Sequence, residues 1–297
     1  MAERPLLQPV PEALLLALMA LRRSIAAQGR VVVAYSGGVD SALVAAIAAE
    51  QLAERAAAIT GRSAALAPQL AQEAAEQAHW LGLTHRFIET DELADPLYLR
   101  NDGERCYACK RELHGLLARI AAESGDARVL DGLNVDDLGD HRPGIRAAQE
   151  RNVLSPLAAC GIDKAGVRQL SRALGLPWWD KPAQPCLGSR FPYGEGISAW
   201  RLQRVAAAEA WLRRLGFAEL RVRSAGDSAR IEIPEADLST FLQRVDREAL
   251  LRHFTAIGFT LVCLDLEGLV SGKLNRALDT GRGKPTRQGR VEPSNCG

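Results

Sequence analysis

The stretch that most restricts the fold runs from Arg30 to Leu52. Arg30–Tyr35 (RVVVAY) is a short, unbroken apolar run, the signature of a strand buried on both faces of a parallel sheet. Ser36-Gly37-Gly38-Val39-Asp40-Ser41 follows at once, and Asp40–Leu52 is Ala-rich and helical in pattern. A strand, a glycine turn and a helix in this order open a βαβ unit. They also make an anion site, because the first N–H groups of a helix have no intrahelical acceptor and carry the positive dipole end. Gly37 and Gly38 let the backbone approach an anion closely. Ser36 and Ser41 add hydroxyl donors, and Asp40 is placed to hold Mg²⁺ or to cap the helix. No lysine follows the glycines, so this is not the GxxxxGK[ST] loop of kinases and GTPases. The competing interpretation is a plain strand-to-helix turn capped by Ser and Asp.

The βα alternation continues. Strands are expected at 55–59, 84–88 and 128–131, and helices at 66–81, 109–123 and 164–174. This predicts an α/β fold: a doubly wound parallel sheet with helices on both faces, whose ligands sit beyond the carboxyl ends of the strands. Pro177, Pro182, Pro185 and Pro192, with Gly188, Gly194 and Gly196, then mark a long functional loop or linker. Beyond it a helix at 198–215, alternating strands at 219–223 and 229–233, helices at 238–245 and 248–254 and a strand at 259–265 predict a second, smaller α+β domain. The expected division is 1–185 and 186–280, with a Gly/Pro-rich, disordered tail at 281–297.

With 37 Lys and Arg against 36 Asp and Glu, the net charge of +1 gives no global signature of nucleic-acid binding. No apolar run reaches the roughly 18 residues of a membrane span. Ala13–Leu21 is apolar but flanked by Glu12 and Arg22-Arg23, which suits an amphipathic helix covering the domain and not a signal peptide. A cytoplasmic protein is expected.

Six cysteines in 297 residues are too few for a disulfide scaffold. Cys106 and Cys109 form a CxxC beside an expected helix start, and Cys186 lies in the block PCLGSRFPYG. A CxxC alone is half a zinc site, a redox pair or an iron–sulfur ligand pair. Three cysteines are one short of a closed structural zinc site, but they suit a 4Fe–4S cluster with one open iron. Arg105, Lys110, Lys181 and Arg190 flank the cysteines as cations able to lower a thiol pKa, or else as ordinary surface charges. Cys263, in FTLVCLD, is expected in the core, Cys160 in a loop and Cys296 in the tail. Asp131, Asp136, Asp137 and Asp140 crowd one loop as Mg²⁺ ligands or as turn residues.

SGGVDS resembles the PP-loop of the ATP pyrophosphatase superfamily, which splits ATP between the α and β phosphates. That resemblance implies adenine contacts at Thr60–Ser63 and at Asp131-Gly132. Four blocks together (SGGVDS at 36–41, DGLNVDDLGDHRPG at 131–144, PCLGSRFPYG at 185–194 and LRVRSAGDSARIEIP at 220–234) resemble the LarE family of ATP-dependent sulfur transferases over 31–274. The resemblance implies ATP- and Mg²⁺-dependent adenylation of a carboxylate of pyridinium-3,5-biscarboxylic acid mononucleotide. Sulfur then replaces the activated oxygen, giving a thiocarboxylate for the nickel-pincer nucleotide cofactor. One family branch gives up the sulfur of a cysteine in the SRFPYG block and is left with dehydroalanine. Another holds a 4Fe–4S cluster on three cysteines, and Cys106, Cys109 and Cys186 are similar to that set.

By family position Asn134, Arg142, Arg190, Arg221 and Arg223 are substrate or nucleotide contacts. Glu209 stands where the family has a metal-associated carboxylate, although the acidic partner position holds Thr240. A homo-oligomer acting on a small nucleotide substrate, alongside other nickel-pincer enzymes, is implied. The alternatives are a PP-loop tRNA thiolation enzyme and a non-enzymatic nucleotide-binding regulator with a structural metal.

Overall fold

A computed structural model describes residues 3–139, 143–270, 272–273 and 276. Val31–Ala34 (β1), Ala56–Arg62 (β2), Thr84–Glu89 (β3) and Arg128–Leu130 (β4) form one parallel sheet in the order β3-β2-β1-β4. Val31 pairs with Ala56 on one side and with Arg128 on the other. Strand order therefore reverses between β1 and its neighbours, which places the ligand crevice at the carboxyl ends of β1 and β4.

The helices of this unit are Glu12–Ala26 (α1), Val39–Leu52 (α2), Pro68–Trp80 (α3), Pro96–Leu99 (α4), Arg105–Glu123 (α5), Pro143–Gln149 (α6), Pro156–Ala159 (α7) and Lys164–Ala173 (α8). α2 is apolar on every side and buried along nearly its whole length, as a central helix must be. Leu18, Leu21 and Ile25 of α1 and Val167 and Leu170 of α8 pack into the same core. Val31 and Val33 of β1 face that core. Val32 faces the other side, where Leu117 and Ala121 of α5 cover it.

β2 runs three residues further than its sequence pattern suggests, because Gly61 and Arg62 pair with Ile88 and Glu89. Only Ser63 of the expected adenine-contact stretch therefore lies beyond the strand. α5 begins four residues earlier than expected, so Cys106 and Cys109 both stand on its first turn.

The second sheet combines Arg221–Ala225 (β5), Ser228–Glu232 (β6) and Leu261–Leu264 (β7) in the order β5-β6-β7. A hairpin turns at Gly226-Asp227, and β7 joins β6 in parallel. Ala199–Arg214 (α9), Leu238–Arg244 (α10) and Arg247–Ala256 (α11) cover it. Its core recruits Ala65, Ala67, Tyr98 and Ala108 from the first unit. Cys263, expected in the core, is exposed. β7 is an edge strand that turns Val262 and Leu264 inward instead. The tail at 281–297, with Cys296, lies outside the described residues, as do Asp140 and Arg142.

Candidate active site

The phosphate loop forms because Gly37 takes φ +67°, which favours glycine. A Cβ there would also come within 3.1 Å of Ala74 on α3. Ser36 and Ser41 lock the loop: their hydroxyls are 3.1 Å apart, and the Ser41 hydroxyl accepts the Ser36 amide at 3.2 Å and donates to the Gly38 carbonyl at 3.1 Å. Gly38 is the N-cap and offers no side chain. The amides of Val39, Asp40 and Ser41 thus begin a helix with no intrahelical acceptor, aimed at the crevice. Gly132, after β4, packs directly on this turn. A Cβ there would stand 2.6 Å from the Ser41 nitrogen.

Two lysines complete the loop, and motif reasoning missed their place. Lys164 Nζ pairs with Asp40 Oδ2 at 2.5 Å, and Asn134 Nδ2 donates to Asp40 Oδ1 at 3.1 Å. The carboxylate expected to hold Mg²⁺ is therefore engaged by the protein's own groups. Lys181 Nζ donates to the Gly37 carbonyl at 3.0 Å and pairs with Glu73 at 2.6 Å. The cation that other phosphate loops carry in sequence here comes from distant segments. The only signal for it was a lysine at each end of the 164–181 stretch. Asp136 and Asp137 accept backbone amides of Lys164 and Asn134, and Asp131 accepts that of Leu133. These three carboxylates build the turn.

The segment after Lys181 leads to the thiols. Leu187 N donates to the Ala65 carbonyl at 2.9 Å, just past Ser63. Ser63 itself donates to Glu92 Oε1 at 2.5 Å. Residues 187–190 make one 3₁₀ turn starting at Cys186. Arg105, the residue before Cys106, is buried and reaches this turn: Nη1 donates to the Gly188 carbonyl at 2.7 Å and to Asn101 Oδ1 at 2.5 Å. Its Nη2 lies 4.0 Å from Cys106 Sγ. Asn101, fully buried, donates to the carbonyls of Pro192 and Glu195 at 2.8 and 3.0 Å.

The start of α5 and the Cys186 turn are thereby tied together, and Cys109 lies within electrostatic range of Cys186 and Cys106. Cys109 is pushed up to about 12, by burial first and then by Glu92 and Cys186. It is protonated in the free protein, so the flanking cations do not activate it. Of the four flanking cations, Arg105 and Lys110 act at the thiols, whereas Lys181 and Arg190 are bound elsewhere.

Among the described residues no three His, Cys, Asp or Glu converge on a single metal ion. The donor set is three soft thiols without histidine, which suits iron–sulfur ligation with one open position. Two details fit a group bound there. Tyr98 Oη is buried without a partner among the described residues. A Cβ on Gly188 would stand 3.0 Å from Oη and 3.6 Å from Cys186 Sγ, so both atoms border the space beside Gly188.

Arg221 and Arg223 do not face solvent as a bare strand edge would. Arg223 is buried, with Nε on Glu232 at 2.9 Å and Nη1 on the Ser189 carbonyl at 2.7 Å. Arg190 holds Glu209 at 2.8 and 3.1 Å, and Glu209 also accepts Arg213 and the Val222 amide. With four donors on its two oxygens, Glu209 serves as an internal counter-ion, in contrast to the metal role its family position suggests. Arg221 has no carboxylate partner among the described residues. Burial, with Arg223 and Arg190 nearby, lowers its pKa, the situation of a cation that an anion would stabilise.

Comparison with known proteins establishes the family. The asparagine synthase family pattern matches residues 16–100, which span the phosphate loop. A pyridinium-3,5-bisthiocarboxylic acid mononucleotide synthase of Lactiplantibacillus plantarum is 38% identical over 84% of this chain and 90% of its own length. The chain belongs to the LarE family. An uncharacterized protein of Synechocystis sp. is 52% identical over 87% of the chain and 96% of its own length. One of Methanocaldococcus jannaschii is 31% identical over 80% and 90%. In this LarE chain, no helix among the described residues is long and apolar enough to cross a membrane.

Proposed function

We propose that the chain is an ATP-dependent sulfur transferase. It adenylates a carboxylate of pyridinium-3,5-biscarboxylic acid mononucleotide and converts it to a thiocarboxylate for the nickel-pincer nucleotide cofactor. The observation that carries this reading is the 181–190 segment. Lys181 is bonded to the phosphate loop, and five residues on, Cys186 opens the turn that Arg105, next to Cys106, holds through the Gly188 carbonyl. A nucleotide on the loop and a sulfur at Cys186 are thus served by one short stretch of chain.

The substrate carboxylate oxygen attacks the α phosphorus, the bond to the β-phosphate bridge breaks, and pyrophosphate leaves. The amides of Val39, Asp40 and Ser41, the hydroxyls of Ser36 and Ser41, and Lys181 offset its charge. Asp40, paired with Lys164 in the free protein, is the residue that would hold the Mg²⁺ accompanying the triphosphate. Ser63 and Gly132 flank the nucleoside, and Arg142 is a nucleotide contact by family position alone.

Sulfur then attacks the acyl carbon and AMP leaves with its oxygen, so one C–O bond is replaced by one C–S bond. Cys106, Cys109 and Cys186 are the residues that would hold a 4Fe–4S cluster, which would supply the sulfur for this exchange. Arg105 holds the two cysteine-bearing segments in register, and the Arg221 guanidinium, with Arg223 behind it, binds the substrate phosphate. The same reading makes the enzyme a cytoplasmic homo-oligomer that hands its product to later nickel-pincer enzymes. Pyrophosphate release that depends on the dicarboxylate nucleotide, together with a thiocarboxylate product under anaerobic conditions, tests it. Pyrophosphate release without that nucleotide, or no sulfur in the product, contradicts it.

A further inference from the structure

Tyr98 lies in α4, in the sequence PLYLR, which carries no motif. Its side chain is 1% exposed, yet its hydroxyl has no hydrogen-bond partner among the described residues. An unpaired buried donor is destabilising, and native structures seldom keep one without use. Its surroundings indicate the use. A Cβ on Gly188 would touch both Oη, at 3.0 Å, and Cys186 Sγ, at 3.6 Å. Phenol and sulfur therefore border the same small space beside Gly188, with Ile197 Cδ1 at 3.5 Å, and a side chain at 188 would crowd it. Tyr98 lies within electrostatic range of Cys186 and Cys109. Glu92 is buried near Cys109, with Oε1 on Ser63 and Oε2 unpaired among the described residues. Glu92 is an acceptor when ionised, so the phenol is the donor available to a sulfur anion.

We propose that Tyr98 is a positioning residue whose hydroxyl donates a hydrogen bond, across the space beside Gly188, to the sulfur held at the Cys106–Cys109–Cys186 site. This rests on the sulfur-transfer reading. The donor fixes where the sulfur sits relative to the acyl carbon and disperses its negative charge until transfer.

The test compares the full-length protein with Tyr98→Phe, which removes the hydroxyl alone. Both are reconstituted anaerobically with iron and sulfide. Hydrogen bonds to sulfur help set the potential of an iron–sulfur centre, and a donor favours the reduced, more negative form. The expected result is a lower midpoint potential in Tyr98→Phe, about tenfold slower thiocarboxylate formation, unchanged substrate-dependent pyrophosphate release and an undiminished melting temperature. If Tyr98→Phe melts early, Gly188→Ala, which crowds that space, is expected to give the same slow transfer and shifted potential. Equal potentials and equal transfer rates in wild type and variant overturn the proposal and leave the sulfur-transfer reading intact. A wild-type protein that assembles no cluster and transfers no sulfur overturns both.

Discussion

Arg190 and Arg221 line one small pocket but differ in what they hold. Arg190 is tied to Glu209, whose side chain is fully buried. Removing one partner of a buried pair leaves the other charge uncompensated, at a cost of about 3–5 kcal/mol. Arg190→Ala is expected to lower the melting temperature markedly, as read by a thermal melt. Arg221→Ala removes no such partner. It is expected to melt near wild type while raising the KM for the nucleotide substrate about tenfold or more, measured by pyrophosphate release. The cysteines were legible in the sequence because CxxC and a third cysteine in a glycine/proline-rich block are local patterns. Asn101 and Tyr98 were not, because their roles come from contacts with residues some ninety positions away and neither sits in a motif.

The elements around the site owe their placement to close packing. Gly132 meets the Ser41 nitrogen because the end of β4 lies against the first turn of α2. Gly132→Ala is expected to push these backbones apart, lowering the melting temperature and weakening ATP binding, measurable by calorimetry. α5 offers a pH test. His114 faces inward, and burial, reinforced by Lys110, pushes its pKa down to about 3 from 6.5. Its neutral form therefore contributes stability in full above pH 6.5, and that contribution is lost as pH falls towards 3. His114→Phe is expected to flatten the acid limb of melting temperature against pH over that interval. The first sheet was readable because β1 is a pure apolar run. The start of α5 was misjudged because Arg105 and Cys106 look like surface polar residues, whereas Arg105 is buried against the Cys186 turn.

At the scale of the whole molecule, the two sheets are joined around α4, the start of α5 and the 187–195 segment. The second core includes Tyr98 and Ala108, and Asn101 bridges to Pro192 and Glu195. The sequence revealed two composition regimes, but it did not reveal that the boundary between them is packed. Asn101→Ala removes the side-chain donor to the carbonyls of Pro192 and Glu195 inside a buried joint, leaving Pro192 only the Glu195 amide. It is expected to slow thiocarboxylate formation more than adenylation, a ratio that parallel assays of both products would report. The most direct measurement is anaerobic single-turnover mass spectrometry of protein, ATP, Mg²⁺ and the dicarboxylate nucleotide, with Cys186→Ala alongside. The account predicts that wild type converts one carboxylate oxygen to sulfur, while Cys186→Ala still releases pyrophosphate but yields no thiocarboxylate. Undiminished thiocarboxylate from Cys186→Ala would contradict it.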